Sequence, residues 1–297
     1  MNAPWMRFLM IGVLGASLAF AGCGRGSDGA QGPAGPAGPP GEDGGSVVDV
    51  RLVSSDFLED LDLESEITDI SIQSPPVVTF TLTTSTGVPV VGIVPYWEDS
   101  NSFVRFTLTK LVAGEGSGPD SWVAYTRDEE TGEPDYDRGS SLVDNGDGSY
   151  VFTFNTDVTT VPGVPYEPTL THRVAGQMGA RGNPLEAQNM WLDFIPNGGD
   201  VSLTRNIAVM GTCNECHDDL VFHGRRFEVE YCVQCHNPGL SEGEGDMAFM
   251  IHRIHAAGSF DVLEDDGVLL DYSHVTYPQD LMNCRKCHNG DDAATTE

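Results

Sequence analysis

Six of the seven cysteines stand in three copies of one pentapeptide: Cys213-Asn214-Glu215-Cys216-His217, Cys232-Val233-Gln234-Cys235-His236 and Cys284-Arg285-Lys286-Cys287-His288. Two thiols separated by two residues lie on one helical turn and reach the two vinyl groups of one porphyrin, while the next residue sets an imidazole beneath the iron. Each copy therefore reads as a covalent haem c attachment site, with Cys213, Cys216, Cys232, Cys235, Cys284 and Cys287 as thioether donors and His217, His236 and His288 as proximal ligands. Zinc is the competing chemistry for paired Cys-x-x-Cys. A four-cysteine zinc site needs no histidine after the second thiol, however, and six cysteines do not divide into fours. A thioredoxin-like redox pair is not expected three times within 76 residues.

An iron held by one histidine has a second axial position, and its occupant decides between electron transfer and catalysis. Of the eight histidines, five lie outside the motifs: His172, His223, His252, His255 and His274. Asp246 can cap a helix that Gly258 ends, and His252 and His255 then share one face as i, i+3 neighbours able to serve two different haems. His223, in Val221-Phe222-His223-Gly224, is too close to His217 to turn back onto the same haem but is well placed for another. His274 is a fourth distal candidate. His172 sits in an alternating run and reads as structural. Met247, Met250 and Met282 are read as packing against porphyrin faces rather than ligating. Five spare histidines for three irons favour six-coordinate, low-spin haems that exchange electrons. The alternative of another class, a haem reductase acting on a small molecule, needs one iron left open.

Other segments must position these groups. Residues 1–22 carry Arg7 followed by an apolar run from Phe8 to Phe20, too short to span a membrane, and read as a secretory signal. Small residues before Cys23 resemble a bacterial lipoprotein box, with Phe20 where leucine is usual, and make Cys23 the expected lipid-attachment site; a plain signal followed by a free thiol is the alternative. In residues 23–45 glycine recurs at every third position from Gly26 to Gly44, with Pro33, Pro36, Pro39 and Pro40 between. This collagen-like repeat is either a short triple helix or an extended tether reaching roughly 65–70 Å at about 3.1 Å per residue. From 46 to 206 the pattern has period two, as in Val78, Phe80, Leu82 against Thr79, Thr81, Thr83, and predicts half-buried strands of an antiparallel sandwich or Greek-key split barrel. Asp144-Asn145-Gly146-Asp147-Gly148 reads as a hairpin turn rather than a calcium loop, and Trp97, Trp122 and Trp191 as core or sheet-face residues. This β segment is expected to pack against the haems without binding them. Residues 207–297 form the loop-rich, partly helical multihaem domain. With 45 acidic and 15 basic residues the net charge is −30, so nucleic acid is a poor partner.

The signal, the Gly-Pro tether and the β segment, followed by Cys-x-x-Cys-His with a downstream His223-Gly224, Glu230-Tyr231-Cys232-Val233-Gln234-Cys235-His236-Asn237-Pro238, Met250-Ile251-His252-Arg253-Ile254-His255 and Val275-Thr276-Tyr277-Pro278-Gln279-Asp280, resemble the outer-membrane decahaem c-type cytochromes of metal-reducing bacteria. The resemblance covers about residues 47–290. It implies a split β-barrel domain before a multihaem domain, a lipid anchor in the outer membrane facing the cell exterior, and bis-histidine haems passing electrons to extracellular metal oxides, soluble metal ions, flavins or electrodes. Other haem proteins or a porin–cytochrome conduit would be the partners. The family has ten motifs and this chain three, so it matches the first β domain and the opening of the first haem domain, as a partial sequence or a minimal relative.

Overall fold

The computed structural model describes residues 47–99, 103–116, 118–179, 182–257, 259–263 and 269–291. The expected signal, Cys23 and tether lie outside them. Period-two alternation becomes two four-stranded antiparallel sheets. One contains β2 (Leu63–Ser71), β3 (Val77–Thr84), β7 (Ser141–Asp144) and β8 (Ser149–Thr153) in the order β2-β3-β8-β7. The other contains β5 (Val104–Val112), β6 (Ser121–Ala124), β9 (His172–Met178) and β10 (Gln188–Phe194) in the order β10-β9-β5-β6. Short parallel strands β1 (Val48–Asp49) and β4 (Val90–Val91) and the short helices α1 (Ser55–Glu59) and α2 (Val94–Asp99) flank them.

The two sheets face each other across an aromatic core. Phe106 lies 5.6 Å from Phe80, 4.7 Å from Phe152 and 6.2 Å from Phe154 between ring centroids, and all four are fully buried. Burying each such ring stabilises the fold by about 1.5–3 kcal/mol. Gly176 on β9 sits against the Phe106 ring, where a Cβ would collide with it. Along one side β2 runs beside β10, joined where the Leu63 N–H donates to the Glu186 carboxylate at 3.1 Å. The turn after β7 is a hairpin: Asn145 N–H donates to the Ser149 carbonyl at 3.1 Å, and Gly146 and Gly148 take φ of 80° and 85°. Asp144 and Asp147 accept bonds from Gly146 and Ser149 within that turn.

One expectation needs correction. The alternation in β5 and β9 predicts strands buried on one face, yet every residue of β9 and all but the last of β5 are buried. The reason is that the polar face, with Arg105, Thr107, Thr109 and Gln177, does not meet water. It is covered by the segment that carries the second Cys-x-x-Cys-His motif.

That segment contains α3 (Met210–His217), α4 (Val229–Cys235), α5 (Met247–His255) and the paired strands β11 (Ser259–Leu263) and β12 (Leu269–Asp271), with a 3₁₀ turn at Cys284–Lys286. Among the described residues no helix is long and apolar enough to cross a membrane.

Candidate functional site

Each motif begins on a different local frame. Cys213, Cys216 and His217 lie on α3, Cys232 and Cys235 on α4 with His236 as its C-cap, and Cys284 on the 3₁₀ turn that Cys287 caps. The third frame is tighter than the α-helical turn the spacing suggests. None of the six motif cysteines is in a disulfide. Burial pushes the Cys232 thiol up to about 12 and the Cys235 thiol up to about 11.

Polar ties dock this region on the sheet. Thr109 Oγ1 donates to Gln234 Oε1 at 2.9 Å, Phe227 N–H to Asn189 Oδ1 at 2.9 Å, and Arg226 Nε to Gln177 Oε1 at 3.0 Å. The first and third motifs are stitched together as well. Asn289 and Gly290 N–H groups donate to the Ile207 carbonyl at 3.1 and 3.0 Å, Asn289 bonds Thr212, and Lys286 pairs with Glu215. A Cβ at Gly290 would strike the Asn206 carbonyl.

Within this frame each motif histidine faces one histidine from elsewhere. Ring centroids are 6.0 Å apart for His217 and His255, 6.2 Å for His236 and His223, and 5.9 Å for His288 and His252. Two imidazoles ligating one metal from opposite sides stand about 6 Å apart between centroids, from two metal–nitrogen bonds of about 2 Å and the radii of the rings. The residues present therefore fit a six-coordinate haem iron at each motif.

Local structure explains how the partners reach their places. Asp246 caps α5, its carboxylate accepting from Ala248 and Phe249 N–H at 3.0 and 3.2 Å, as the sequence predicts. Ala257, just after the helix, takes a left-handed backbone with φ of 56°, and the expected helix end at Gly258 lies outside the described residues. His252 and His255 project from this helix one turn apart and meet two different motif histidines. His255 Nδ1 lies 2.8 Å from the Ile251 carbonyl and His236 Nδ1 lies 3.0 Å from the Gly245 carbonyl; donating there leaves Nε2 of each for a metal. His223 takes a left-handed backbone, φ 49°, followed by Gly224 at φ 79°. A non-glycine residue held there costs about 1–3 kcal/mol, a strain found where side-chain direction matters. Burial lowers the pKa values of His223, His236 and His288, favouring the neutral imidazole that binds metal.

The other two histidines stand apart. His274 is exposed, and among the described residues its ring meets no other histidine. His172 is fully buried with both nitrogens engaged, Nδ1 at 2.8 Å from the Leu170 carbonyl and Nε2 at 3.1 Å from the Tyr125 hydroxyl. Burial lowers its pKa to about 4. Sequence reasoning missed the groups of β5, β9 and α4 that gather near the second motif, namely Arg105, Gln177, Tyr231 and Gln234. The available signal was a run of polar residues on one face of β5.

Residues 205–297 match the family model described as outer membrane cytochrome MtrC/MtrF-like, domains II/IV. Over 231 residues the chain is 28% identical to the multiheme cytochrome MtrC of Shewanella baltica (strain OS185), covering 74% of this chain and 31% of that one. Among solved structures, the outer membrane decaheme cytochrome OmcA superposes with a TM-score of 0.63 at 23% identity, over 81% of this chain and 40% of the other. MtrC from S. baltica OS185 superposes with a TM-score of 0.58 at 24% identity, over 78% and 36%. The chain thus spans about a third of the relative it matches in sequence, and the two structural likenesses establish the fold. Residues 205–297, which carry the three histidine-paired Cys-x-x-Cys-His motifs, thus match the MtrC/MtrF-like domain II/IV model, and the β sandwich together with that segment has the fold seen in outer-membrane multihaem cytochromes, to which the chain is similar.

Proposed function

We propose that this chain binds three covalent c-type haems and passes electrons through them at the bacterial cell surface to extracellular acceptors such as metal oxides, soluble metal ions or flavins. The observation that carries the reading is the pairing of every motif histidine with one other histidine at 5.9–6.2 Å. The haem supplies a reversible one-electron iron couple; the protein supplies two axial nitrogens, thioether anchors and a fixed position. His217 with His255, His236 with His223 and His288 with His252 are the ligand pairs, and His274 serves none of these three. With both axial positions filled, no iron is open to a substrate, which favours electron transfer over the haem reductase alternative.

Cys23 is the lipid-attachment site in this reading. The outer membrane is the location, and other haem proteins or a porin–cytochrome conduit are the electron donors. The test is the intact mass and visible spectrum of the exported protein. Three haems per chain, all low-spin when oxidised, are expected; a substantial high-spin fraction would sink the reading and favour the reductase.

A further inference from the structure

Buried polar groups nearly always have hydrogen-bond partners, and each exception calls for a reason. Among the described residues five buried side-chain atoms lack one: Arg105 Nε, Trp122 Nε1, Gln177 Nε2, Tyr231 Oη and Gln234 Nε2. All five can donate, so what is missing is an acceptor. Arg105, Gln177, Tyr231 and Gln234 are each at least 96% buried, and they lie along the contact between the polar face of the β5–β9 sheet and α4, with Arg105 opposite Gln177 and Gln234 bonded to Thr109.

Charge sharpens the point. Arg105 lies 4.1 Å from the Tyr136 ring centroid, and Arg226 lies 5.7 Å from the same ring and 5.3 Å from that of Tyr231, the residue before Cys232. Neither guanidinium has a carboxylate partner among the described residues. Arg173, on the same sheet face and also buried, shows the usual arrangement: Nε and Nη2 are paired with Asp193 at 2.6 and 2.7 Å. Burying an unpaired guanidinium is costly, and in a chain with 45 acidic residues a carboxylate was available to evolution. The arrangement beside the second motif thus has cations and donors in place and no counter-charge from the described residues.

We propose that the propionates of the haem attached at Cys232 and Cys235 supply that counter-charge, held by Arg105 and Arg226 with help from the Tyr231 and Gln177 donors. The inference rests on the reading that a haem lies between His236 and His223. It makes the β sheet an electrostatic partner of this haem: the two cations favour the reduced state, whose added electron they offset.

The test uses the full chain loaded with haem, with variants Arg105→Gln, Arg226→Gln and Arg105→Lys, and a redox titration resolving the three midpoint potentials. In either Gln variant one potential falls while the other two hold. The expected change in that haem's reduction equilibrium is about tenfold, or about 59 mV for one electron. Lys at position 105 restores most of it, which a purely structural role would not require. Arg226→Gln, at a half-buried position, gives the answer if Arg105→Gln does not mature. Unchanged potentials in three-haem, low-spin Gln variants, or an equal shift of all three haems, would overturn the proposal. Fewer than three haems or a high-spin parent would instead overturn the reading beneath it.

Discussion

At the scale of single residues, the histidine pairs give separable outcomes. His255→Ala removes the partner of His217 and His252→Ala that of His288, so each variant is expected to show one high-spin haem of three, and the double variant two. His274→Ala leaves all three low-spin. Visible and electron paramagnetic resonance spectra of the oxidised proteins check this, and two fully low-spin single variants would refute the shared-helix assignment. His172 carries a prediction about stability rather than ligation. Its folded pKa near 4 lies below the unfolded value near 6.5, so between these limits the unfolded chain binds the extra proton. Stability therefore falls as pH drops through that window, by up to about 3 kcal/mol from this group. Denaturant unfolding at pH 7 and pH 4.5 should show a smaller pH effect in His172→Gln than in the parent. The three motifs and the helix that carries both His252 and His255 were legible because they are local patterns. Which distal histidine meets which motif was not, because the pairings join residues from 13 to 38 positions apart through the tertiary fold.

At the scale of elements, α5 depends on its cap. Asp246→Ala leaves two first-turn N–H groups without their acceptor and should cost about 1 kcal/mol. Because α5 presents both His252 and His255, fraying its start should loosen two iron sites together, read as a heat-induced high-spin fraction appearing at lower temperature than in the parent. If the variant loses stability while both sites melt with the rest of the protein, the helix is not the weak point. The strands tell the converse lesson about reading sequence. Alternation of Val104, Phe106 and Leu108 with Arg105, Thr107 and Thr109 identified β5 and its core face correctly, but it cannot distinguish a polar face in water from one pressed against another polar segment. Both satisfy the same period of two. What separates them is an Arg105 that has no reason to be dry unless something lies over it.

At the scale of the whole molecule, a charge of −30 should govern encounters with soluble acceptors. Reduction of a cationic dye should slow with added salt and that of an anionic chelate should quicken, since screening over about 8 Å at physiological ionic strength weakens attraction and repulsion alike. Stopped-flow rates across a salt series check this; an equal response to both acceptors would show that electrons leave at a surface shielded from the global field. Among the described residues, the apolar core between the sheets draws its buried side chains from positions 50–190. That distribution bears on the order of events during export. The sandwich can close from its own side chains as soon as it emerges, with no cofactor in hand, whereas the stretch behind it has little to collapse around until its porphyrins are attached. In the proposed reading the expected order of biogenesis is sequential, a finished β half presenting a docking face to a pliant haem-binding stretch, and a shortage of haem is expected to leave a protease-resistant fragment near the size of that half rather than a wholly degraded chain.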